Sequence, residues 1–554
     1  MDKKAVKREA ARREKMEALR RRHMEAASRE VARRGTLPDR PITEIPRVRD
    51  QHREVERSEV IPGRAWVRIL FDESSHTHLY EVLEPTLTDD EQKILTFLRD
   101  TLVRTLEGNA AARYDGDRAL ALLEAARQAV VDHSILLDEV GTERVEYHLL
   151  REFLGYGAVD VLMRDPMIED ISCDGPNIPV FLFHRKYESL RTNITFTDEF
   201  ELDSFVIRMA QRSGKHISVA DPLLDATLPD GSRLQATLGR EVTTRGSSFT
   251  VRKFRADPLT PPDLIRYGTI SVEMAAYYWF VMEMGSSFLL AGGTASGKTT
   301  SLNAICQFIP PEKKIVSIED TREINLSHEN WIAGITRTGF GGEVVAGKMA
   351  GTIDMYNLLA AALRQRPEYL LVGEVRGPEA LTLFQAMATG HAVYSTMHAD
   401  SVPSAVYRLE SEPINVPRMM LQTLDIVAIQ AQVRIRDRLT RRIKEVTEVV
   451  GFDPDTKELL TNTVFEWDVA EDRHRYLGKS YILEQVMENR NLSEAKLQEE
   501  WRNRIEVMQW MLDHNVRHYA DVARATSSYY RDAPNFLAGI RTGRRPVLAG
   551  GTPA

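Results

Sequence analysis

The segment Gly292-Gly-Thr-Ala-Ser-Gly-Lys-Thr299 constrains this chain more than any other, because it fits the pattern G-x-x-x-x-G-K-[ST]. The apolar run Phe288-Leu-Leu-Ala291 precedes it and the helix-forming stretch TTSLNAICQF follows, which is the strand, loop and helix order that such a loop requires. Glycines let successive backbone N–H groups converge on phosphate oxygens, and the helix N-terminus adds positive potential. The sequence therefore predicts a site for a nucleoside triphosphate.

Within this phosphate loop, Lys298 is expected to place its charge at the β- and γ-phosphates, and the Thr299 hydroxyl is expected to ligate Mg²⁺. The residues predicted to contact the nucleotide are Gly292, Gly293, Thr294, Ala295, Ser296, Gly297, Lys298, Thr299 and Thr300.

Acidic residues follow two further apolar runs. Tyr369-Leu-Leu-Val372 ends in Gly373-Glu374, and ligands collect where parallel strands end in open α/β sheets. Glu374 is therefore predicted to be the metal-side acid, acting through water. Ile315-Val-Ser-Ile318 is closed by Glu319-Asp-Thr-Arg-Glu323, and one of its three acids could polarise the attacking water. A solvated charge cluster is the alternative interpretation of that segment.

Two histidines, His391 and His398, frame the strand-like run Ala392-Val-Tyr-Ser395. A single histidine would be read as structural, but two beside a phosphate site could sense the γ-phosphate or transmit its loss. A zinc site is rejected, since third and fourth ligands are lacking nearby.

Length and composition restrict the class of protein. With 554 residues, 43% of them hydrophobic, the chain should form three or four domains. No window approaches the roughly 18 apolar residues of a membrane span, and the N-terminus lacks the apolar segment of a secretory signal. Two cysteines cannot build a disulfide framework and fit a reducing cytoplasm. The net charge of -8 argues against a general nucleic-acid binder.

The N-terminal segment 1–34 carries a net charge of +7, unlike the acidic remainder. It is either a mobile charged tail or an electrostatic contact for an anionic membrane surface or an acidic partner. Thr88 and Glu91 form a capping-box pattern that predicts a helix start, and Pro229-Asp-Gly231 predicts a turn between two strands.

Composition shifts along the chain predict a division into seven segments. They are a basic arm and linker (1–60), a largely helical subdomain (61–160), an α+β subdomain (161–254), a proline-rich hinge linker (255–262), an α/β core with a parallel sheet (263–445), a mixed and helical region (446–540) and a flexible tail (541–554).

The boxes GGTASGKT, IEDTRE, LLVGEVRG and TGHAVYSTMH, in this order, resemble the Walker A, Asp, Walker B and His boxes of the type II/IV secretion ATPase superfamily. The runs EDTRE, LRQRPEYLLVGEVRG and NVPRMMLQTLDIVAIQ are similar to its archaeal branch, which contains archaellum motor ATPases and archaeal type IV pilus ATPases. The likeness covers roughly Trp66 to Tyr530. The four-cysteine insertion of many bacterial members has no counterpart here.

This resemblance implies an α/β fold, with a RecA-like P-loop NTPase domain at the C-terminal side and a mixed α+β, PAS-like domain before the hinge. It implies Glu323 as the catalytic glutamate that orients water, Glu374 as the Walker B acid, and His391 and His398 as the His-box histidines. Arginines of the N-terminal domain clamp the triphosphate in this family, and Arg233, Arg245 and Arg252 occupy the matching region.

The resemblance further implies a cytoplasmic homo-hexamer at the inner face of the membrane. It would hydrolyse ATP with Mg²⁺ and move its two domains about the hinge to drive a polytopic membrane platform protein, together with accessory cytoplasmic motor proteins. The archaellum is the first choice of machine, and an archaeal type IV pilus or type II-like secretion system the second.

Two other classes of protein remain open at this point. A RecA-like nucleic-acid translocase should show basic loops with stacking aromatic residues, which the motor region does not offer. A scaffold that only binds ATP would be expected to lack the acids Glu323 and Glu374.

Overall fold

The computed structural model describes residues 41–48, 51–106, 118–255, 257–337, 344–345, 348–349, 351–436, 438–453, 455–456 and 458–543. The chain divides into two compact units, Met1–Lys253 and Phe254–Ala554. The predicted basic arm 1–34 lies outside the described residues, and so does the predicted tail from residue 544 onward.

The first unit is built on a mixed sheet. Its strands are β1 (His52–Ile61), β2 (Ala65–Asp72), β3 (Thr77–Leu83), β4 (Ile168–Cys173), β5 (Pro179–His184), β6 (Glu188–Thr195), β7 (Leu223–Thr227), β8 (Arg233–Thr237) and β9 (Ser248–Arg252). Their order is β1-β2-β3-β6-β5-β4-β9-β8-β7, and the pairing of β3 with β6 is parallel whereas the others are antiparallel. The predicted Pro-Asp-Gly turn joins β7 to β8, which confirms the two strands expected around it.

Helices α1 (Asp89–Leu106), α2 (Arg118–Asp132) and α3 (Glu139–Phe153) form a separate small core in this unit. The predicted capping box starts α1, since Thr88 N donates to Glu91 Oε2 at 2.8 Å and Glu91 N donates to Thr88 Oγ1 at 3.3 Å. The shorter helix α4 (Asp160–Arg164) and helix α5 (Glu199–Arg212) each contribute one face of apolar side chains to the core of the sheet.

The observed elements differ from the predicted segments at the N-terminal side. Residues 52–83 form β1 to β3, whereas the segments predicted there are a linker up to residue 60 and a largely helical subdomain after it; only the strand-like run from Trp66 to Phe71, which coincides with β2, is expected from the sequence. Val82 and Asn193 exchange two hydrogen bonds across 111 residues of chain, so strands on both sides of the helices share one sheet. Pairing over such a distance leaves no local pattern in the sequence.

The second unit has a larger sheet. Its strands are β10 (Phe288–Gly292), β11 (Ile315–Glu319), β12 (Trp331–Ile335), β15 (Tyr369–Val372), β16 (Ala392–Met397), β17 (Ile426–Ile435), β18 (Arg438–Phe452), β19 (Leu459–Asp468) and β20 (Arg473–Tyr476), while β13 (Val344–Val345) and β14 (Lys348–Met349) pair with each other. The order is β12-β11-β15-β16-β10-β17-β18-β19-β20. Pairing is parallel from β12 to β17 and antiparallel beyond it. The predicted parallel α/β core is confirmed, and its sheet continues past residue 445 as an antiparallel extension.

Helices cover both faces of this sheet. They are α6 (Pro261–Arg266), α7 (Val272–Met284), α8 (Lys298–Ile305), α9 (Met355–Leu363), α10 (Glu379–Ala388), α11 (Val402–Glu410), α12 (Tyr481–Arg490), α13 (Glu494–Asp513), α14 (Tyr519–Arg531) and α15 (Ala533–Arg541). One core contains α7, α8 and the C-terminal helices, and the other contains α9, α10 and α11. The sheet is therefore sandwiched, as in other doubly covered parallel sheets.

A buried cation fastens α13 to α7. Arg504 is 2% exposed, and its guanidinium lies 2.6 Å from Glu283 Oε2 and 2.9 Å from Glu500 Oε2. The same group lies 3.9 Å from the ring centre of Phe280. A buried charge needs such partners, because its loss of hydration is otherwise uncompensated.

The predicted hinge linker 255–262 is partly helical. Thr260 caps α6 in a capping box with Asp263, and its hydroxyl donates to the backbone carbonyl of Arg517 at 3.0 Å. The C-terminal end of this segment is thereby fixed to the second unit.

Both cysteines of the chain, Cys173 in β4 and Cys306 after α8, are buried free thiols. Burial raises the pKa of Cys173 to about 11 and raises that of Cys306 further above its ordinary range. Of the helices in the described ranges, none is long and apolar enough to cross a bilayer.

Candidate functional site

The phosphate loop joins β10 to α8, as predicted. Ala295 (φ +57°) and Gly297 (φ +87°) take the left-handed conformation that bends the loop. A Cβ atom on Gly292 would lie 2.2 Å from the carbonyl oxygen of Gln430, so only glycine fits there. No described atom lies within 4 Å of a Cβ placed on Gly293. The loop is therefore tightly backed on one side and open at Gly293, which suits a cradle for phosphate groups.

Lys298, the first residue of α8, is buried at the base of this loop. Its Nζ donates to the carbonyl oxygen of Gly293 at 2.9 Å and lies 3.4 Å from His398 Nδ1. Burial lowers the pKa of the ammonium group, while the negative charges of Glu374 and Glu323 oppose that shift. The loop lysine and both predicted acids are thus close enough to interact electrostatically.

His398 links the phosphate loop to the metal-side acid. Its Nε2 lies 3.0 Å from Glu374 Oε1, while its Nδ1 faces Lys298. The approach of Nε2 to the carboxylate is a close polar contact rather than a hydrogen bond, because Glu374 Oε1 accepts no hydrogen bond from a described residue. The side chains of Lys298, His398 and Glu374 therefore form one continuous row of polar contacts at the phosphate loop.

Strand order explains this contact. β16 lies between β10, which leads into the phosphate loop, and β15, which ends just before Glu374. All three strands are parallel, so the residue after β16 emerges at the same edge of the sheet as the loop and the acid. His398 is that residue.

The carboxylate of Glu374 is held through its Oε2 atom. Arg376 donates to Glu374 Oε2, and the same arginine is fixed through its backbone N–H to Glu379 Oε1 at 2.9 Å. Oε1 of Glu374 is buried and accepts no hydrogen bond from a described residue, so this oxygen is the one available to a water molecule on Mg²⁺. Thr299, next to Lys298 in the first turn of α8, is half-buried.

Glu319 organises the loop that carries Glu323. Its Oε1 accepts hydrogen bonds from the backbone N–H groups of Glu323 at 2.9 Å and Ile324 at 3.0 Å. Its Oε2 is buried, and among the described residues no group donates to it. Burial raises the pKa of Glu319 to about 7, with Glu323 adding to the shift and the two backbone donors and Arg322 opposing it. Glu323 itself is exposed at the strand end.

Glu319 was one of three acids considered from the sequence, and no positioning role was predicted for it. The signal that could have singled it out is its place as the last residue of an otherwise apolar strand, where a carboxylate is buried. The same loop is held by Arg322, whose guanidinium lies 5.5 Å from the ring centres of both Phe254 and Trp331.

His391 lies away from the group formed by Lys298, His398 and Glu374. It precedes β16, whereas His398 follows it, and the strand of six residues spans about 20 Å. The His391 ring is half-buried, with Nδ1 3.2 Å from the carbonyl oxygen of Ala386. The two histidines predicted to act together thus lie at opposite edges of the sheet within this chain.

The arginines predicted to clamp phosphate divide into a pair and a separate residue. Arg233 and Arg252 lie directly opposite each other on β8 and β9, where Arg233 forms a two-bond ion pair with Asp225 at 2.7 and 3.1 Å. Arg252 lies beside Asp170 of β4. Burial raises the pKa of Asp170, and the positive charge of Arg252 opposes that shift. Arg245 is exposed before the other end of β9. Their contact with phosphate stays a prediction.

A cleft of about 390 Å³ opens beside the acids of the second unit. The residues that line it include Asp320, Thr336, Arg337, Asp354, Glu374 and Arg376. It gives solvent access to Glu374 from the side of β11 and β12.

The sheet order, the phosphate loop and the acids at adjacent strand ends define a RecA-like P-loop domain. The family model described as "Type II/IV secretion system protein" matches residues 157–528. The chain therefore belongs to the type II/IV secretion system protein family.

Similar proteins occur in the archaeon Methanocaldococcus jannaschii. Its uncharacterized protein MJ0900 is 40% identical over 356 residues, which is 64% of this chain and 63% of that protein. Its uncharacterized protein MJ1287 is 49% identical over 248 residues, 45% of this chain and 90% of that protein. The crystal structure of the VirB11 ATPase of the Brucella suis type IV secretion system is 25% identical, covers 56% of this chain and 98% of its own, and has a TM-score of 0.26. The chain thus spans a little under two thirds of MJ0900.

Proposed function

We propose that this protein hydrolyses ATP and couples the reaction to mechanical work in a filament or secretion machine, with the archaellum as the first choice. The contact chain from Lys298 through His398 to Glu374 carries the proposal, because it joins the phosphate loop, the His box and the metal-side acid at one edge of one sheet. A site for hydrolysis needs these groups within reach of the same phosphate.

The residues would act as follows. The phosphate-loop N–H groups and Lys298 hold the β- and γ-phosphates, and Thr299 and Glu374 hold Mg²⁺, Glu374 through water. The bound Mg²⁺ would supply positive charge against the phosphate oxygens. Glu323, whose backbone Glu319 fixes, orients the attacking water. His398 responds to the charge at Glu374 and Lys298.

The test is phosphate release and nucleotide binding by the full chain and two variants. Lys298→Ala should lose nucleotide binding, because the cation at the β- and γ-phosphates is removed. Glu323→Gln should bind ATP as the wild type does and turn over about 100-fold more slowly or worse, the range lost with a general base. Glu329→Gln, an exposed glutamate on the same segment, is the matched control.

Two outcomes would overturn the proposal. Wild-type turnover by Glu323→Gln would remove that residue from the reaction. Undiminished ATP binding by Lys298→Ala would remove the loop as the phosphate site.

The oligomer, the machine and the partners are part of the same proposal. A hexameric ring with ATP, measured by mass photometry, would support it, and a monomer at every nucleotide state would contradict it. An archaeal type IV pilus or type II-like secretion motor is the second choice, and the family description, which names type II/IV secretion systems, supports it. Neighbouring archaellin and archaellum accessory genes would favour the first choice, and neighbouring pilin genes the second.

A polytopic membrane platform protein and accessory cytoplasmic motor proteins are the proposed partners at the cytoplasmic face of the membrane. The arm 1–34 would assist through its basic charge. Co-sedimentation of the full chain with anionic but not neutral lipid vesicles tests that contact.

A further inference from the structure

The phosphate loop is held from its outer side by the hairpin of β17 and β18. Gln430 of β17 donates from Nε2 to the carbonyl oxygen of Ser296 at 2.8 Å. Arg441 of β18 donates from Nε to the carbonyl oxygen of Ala295 at 3.3 Å. Two consecutive carbonyl groups of the loop therefore have side-chain donors from another part of the sheet.

These two contacts fix where the loop's N–H groups point. The carbonyl of Ala295 and the N–H of Ser296 belong to one peptide unit, and the carbonyl of Ser296 and the N–H of Gly297 belong to the next. In a trans peptide the C=O and N–H bonds point in opposite directions. Pinning both carbonyl groups outward thus aims the N–H groups of Ser296 and Gly297 to the inner side of the loop, where phosphate oxygens would lie.

The backbone around these peptides needs such restraint. Ala295, a residue with a Cβ, takes φ +57°, and Gly297 takes φ +87°. An L-residue leaves the left-handed region readily unless its surroundings hold it there. Rotation of either peptide would turn an N–H group away from the phosphate position.

The burial of Gln430 indicates that its hydrogen bond to the Ser296 carbonyl oxygen matters more than its packing. Its side chain is 1% exposed, and its Oε1 is buried without a donor among the described residues. The amide cannot be turned round, because the Ser296 carbonyl accepts only from the Nε2 group. A buried amide with one unpaired end is unfavourable compared with an apolar side chain, so the Nε2 contact is what this residue supplies.

We propose that Gln430 and Arg441 are positioning residues for nucleotide binding, which preset the loop peptides before the nucleotide arrives. The inference rests on the proposed function. Loss of either residue raises the dissociation constants of ATP and ADP by the same factor, because the loop N–H groups contact the phosphates that both nucleotides share. Turnover at saturating ATP changes little, since neither side chain touches the reacting atoms.

The experiment measures binding of fluorescent ATP and ADP analogues, saturated turnover and thermal unfolding for the full chain and three variants. Gln430→Met keeps the length and burial and removes the donor, and it should weaken both nucleotides about tenfold with less than a threefold change in turnover. Arg441→Met, at an exposed site, should weaken both about threefold and should not disturb folding.

Gln307→Met is the matched control. Gln307 is also 1% exposed and also donates to a backbone carbonyl, that of Asn325 at 3.2 Å, away from the phosphate loop. It should unfold like Gln430→Met and bind both nucleotides as the wild type does.

Three results separate the outcomes. Wild-type affinity in both Gln430→Met and Arg441→Met would overturn the inference and leave the proposed function standing. An equal loss of affinity in Gln307→Met would reduce the effect to general destabilisation and also overturn it. Failure of the wild type itself to bind either nucleotide would overturn the proposed function, and with it this inference.

Discussion

Glu319 makes the stability of the second unit fall as the pH rises toward 7. Burial raises the pKa of this carboxyl from the ordinary 4.5 to about 7 in the folded protein. Below pH 4.5 it is protonated in both states, so it contributes its full stability there. As the pH rises toward 7, the unfolded chain releases this proton and the folded chain retains it, so stability is progressively lost.

Glu319→Gln removes this titration and keeps an oxygen that can accept from the backbone N–H groups of Glu323 and Ile324. A pKa difference of about 2.5 units at 1.36 kcal/mol per unit gives about 3 kcal/mol. The free energy of unfolding of the variant, relative to wild type, should therefore rise by about 3 kcal/mol between pH 4.5 and pH 7.5. The unpaired amide end of the new side chain destabilises equally at each pH and cancels.

The assay is urea unfolding of both proteins without nucleotide at pH 5, 6, 7 and 8. Tryptophan fluorescence reports on the correct unit, since five of the six tryptophans lie after residue 254. Gln307→Met, which adds and removes no titratable group, should differ from wild type by the same amount at every pH. A difference between Glu319→Gln and wild type that stays flat from pH 5 to pH 8 would refute the reasoning.

Two further predictions concern close packing in the second unit. Gly292→Ala should abolish nucleotide binding, because its Cβ would lie 2.2 Å from the Gln430 carbonyl oxygen. Gly293→Ala should fold as the wild type does, because no described atom lies within 4 Å of its Cβ. Equal thermal stability of the two variants would contradict this difference in packing. Arg504→Met should lower the free energy of unfolding by about 2 kcal/mol, because it removes a charge-assisted hydrogen bond to Glu283, which keeps Arg490 as its other partner. A loss below about 0.5 kcal/mol in urea titrations would argue against a stabilising contact.

The local elements of the site were predictable from the sequence. The phosphate loop has a fixed spacing, and the runs before Glu319 and before Glu374 are short and apolar, so each indicates a strand that ends in an acid. The same holds for the capping box at Thr88, because its chemistry lies within four residues. Each of these elements depends only on residues that are close together in the chain, so the local sequence is enough to predict it.

What the sequence could not provide was the order of the strands. His398 contacts Lys298 and Glu374 only because β16 lies between β10 and β15, and nothing local in the sequence encodes that order. For the same reason His391 was grouped with His398, although the strand between them separates the two rings. Gln430 stands out in an apolar run, but its partner, the Ser296 carbonyl, is 134 residues away.

The pairing of β3 with β6 could not be predicted from the sequence either, because the two strands are far apart in the chain. Contacts that close long loops leave no periodic signature in either partner, and they depend on the packing of the intervening helices. The roles assigned to Glu323, Glu374 and the three arginines stay predictions that the variants above can examine.

The burial of both thiols has a practical consequence. Cys173 lies in the core of the first unit and Cys306 in that of the second, and their raised pKa values keep them as unreactive thiols near neutral pH. A new cysteine in place of exposed Phe200 and another in place of exposed Tyr407 would therefore take maleimide or nitroxide reagents selectively on the native background. The distance between the two labels, one on each unit, can then be measured by spectroscopy without removing either native cysteine.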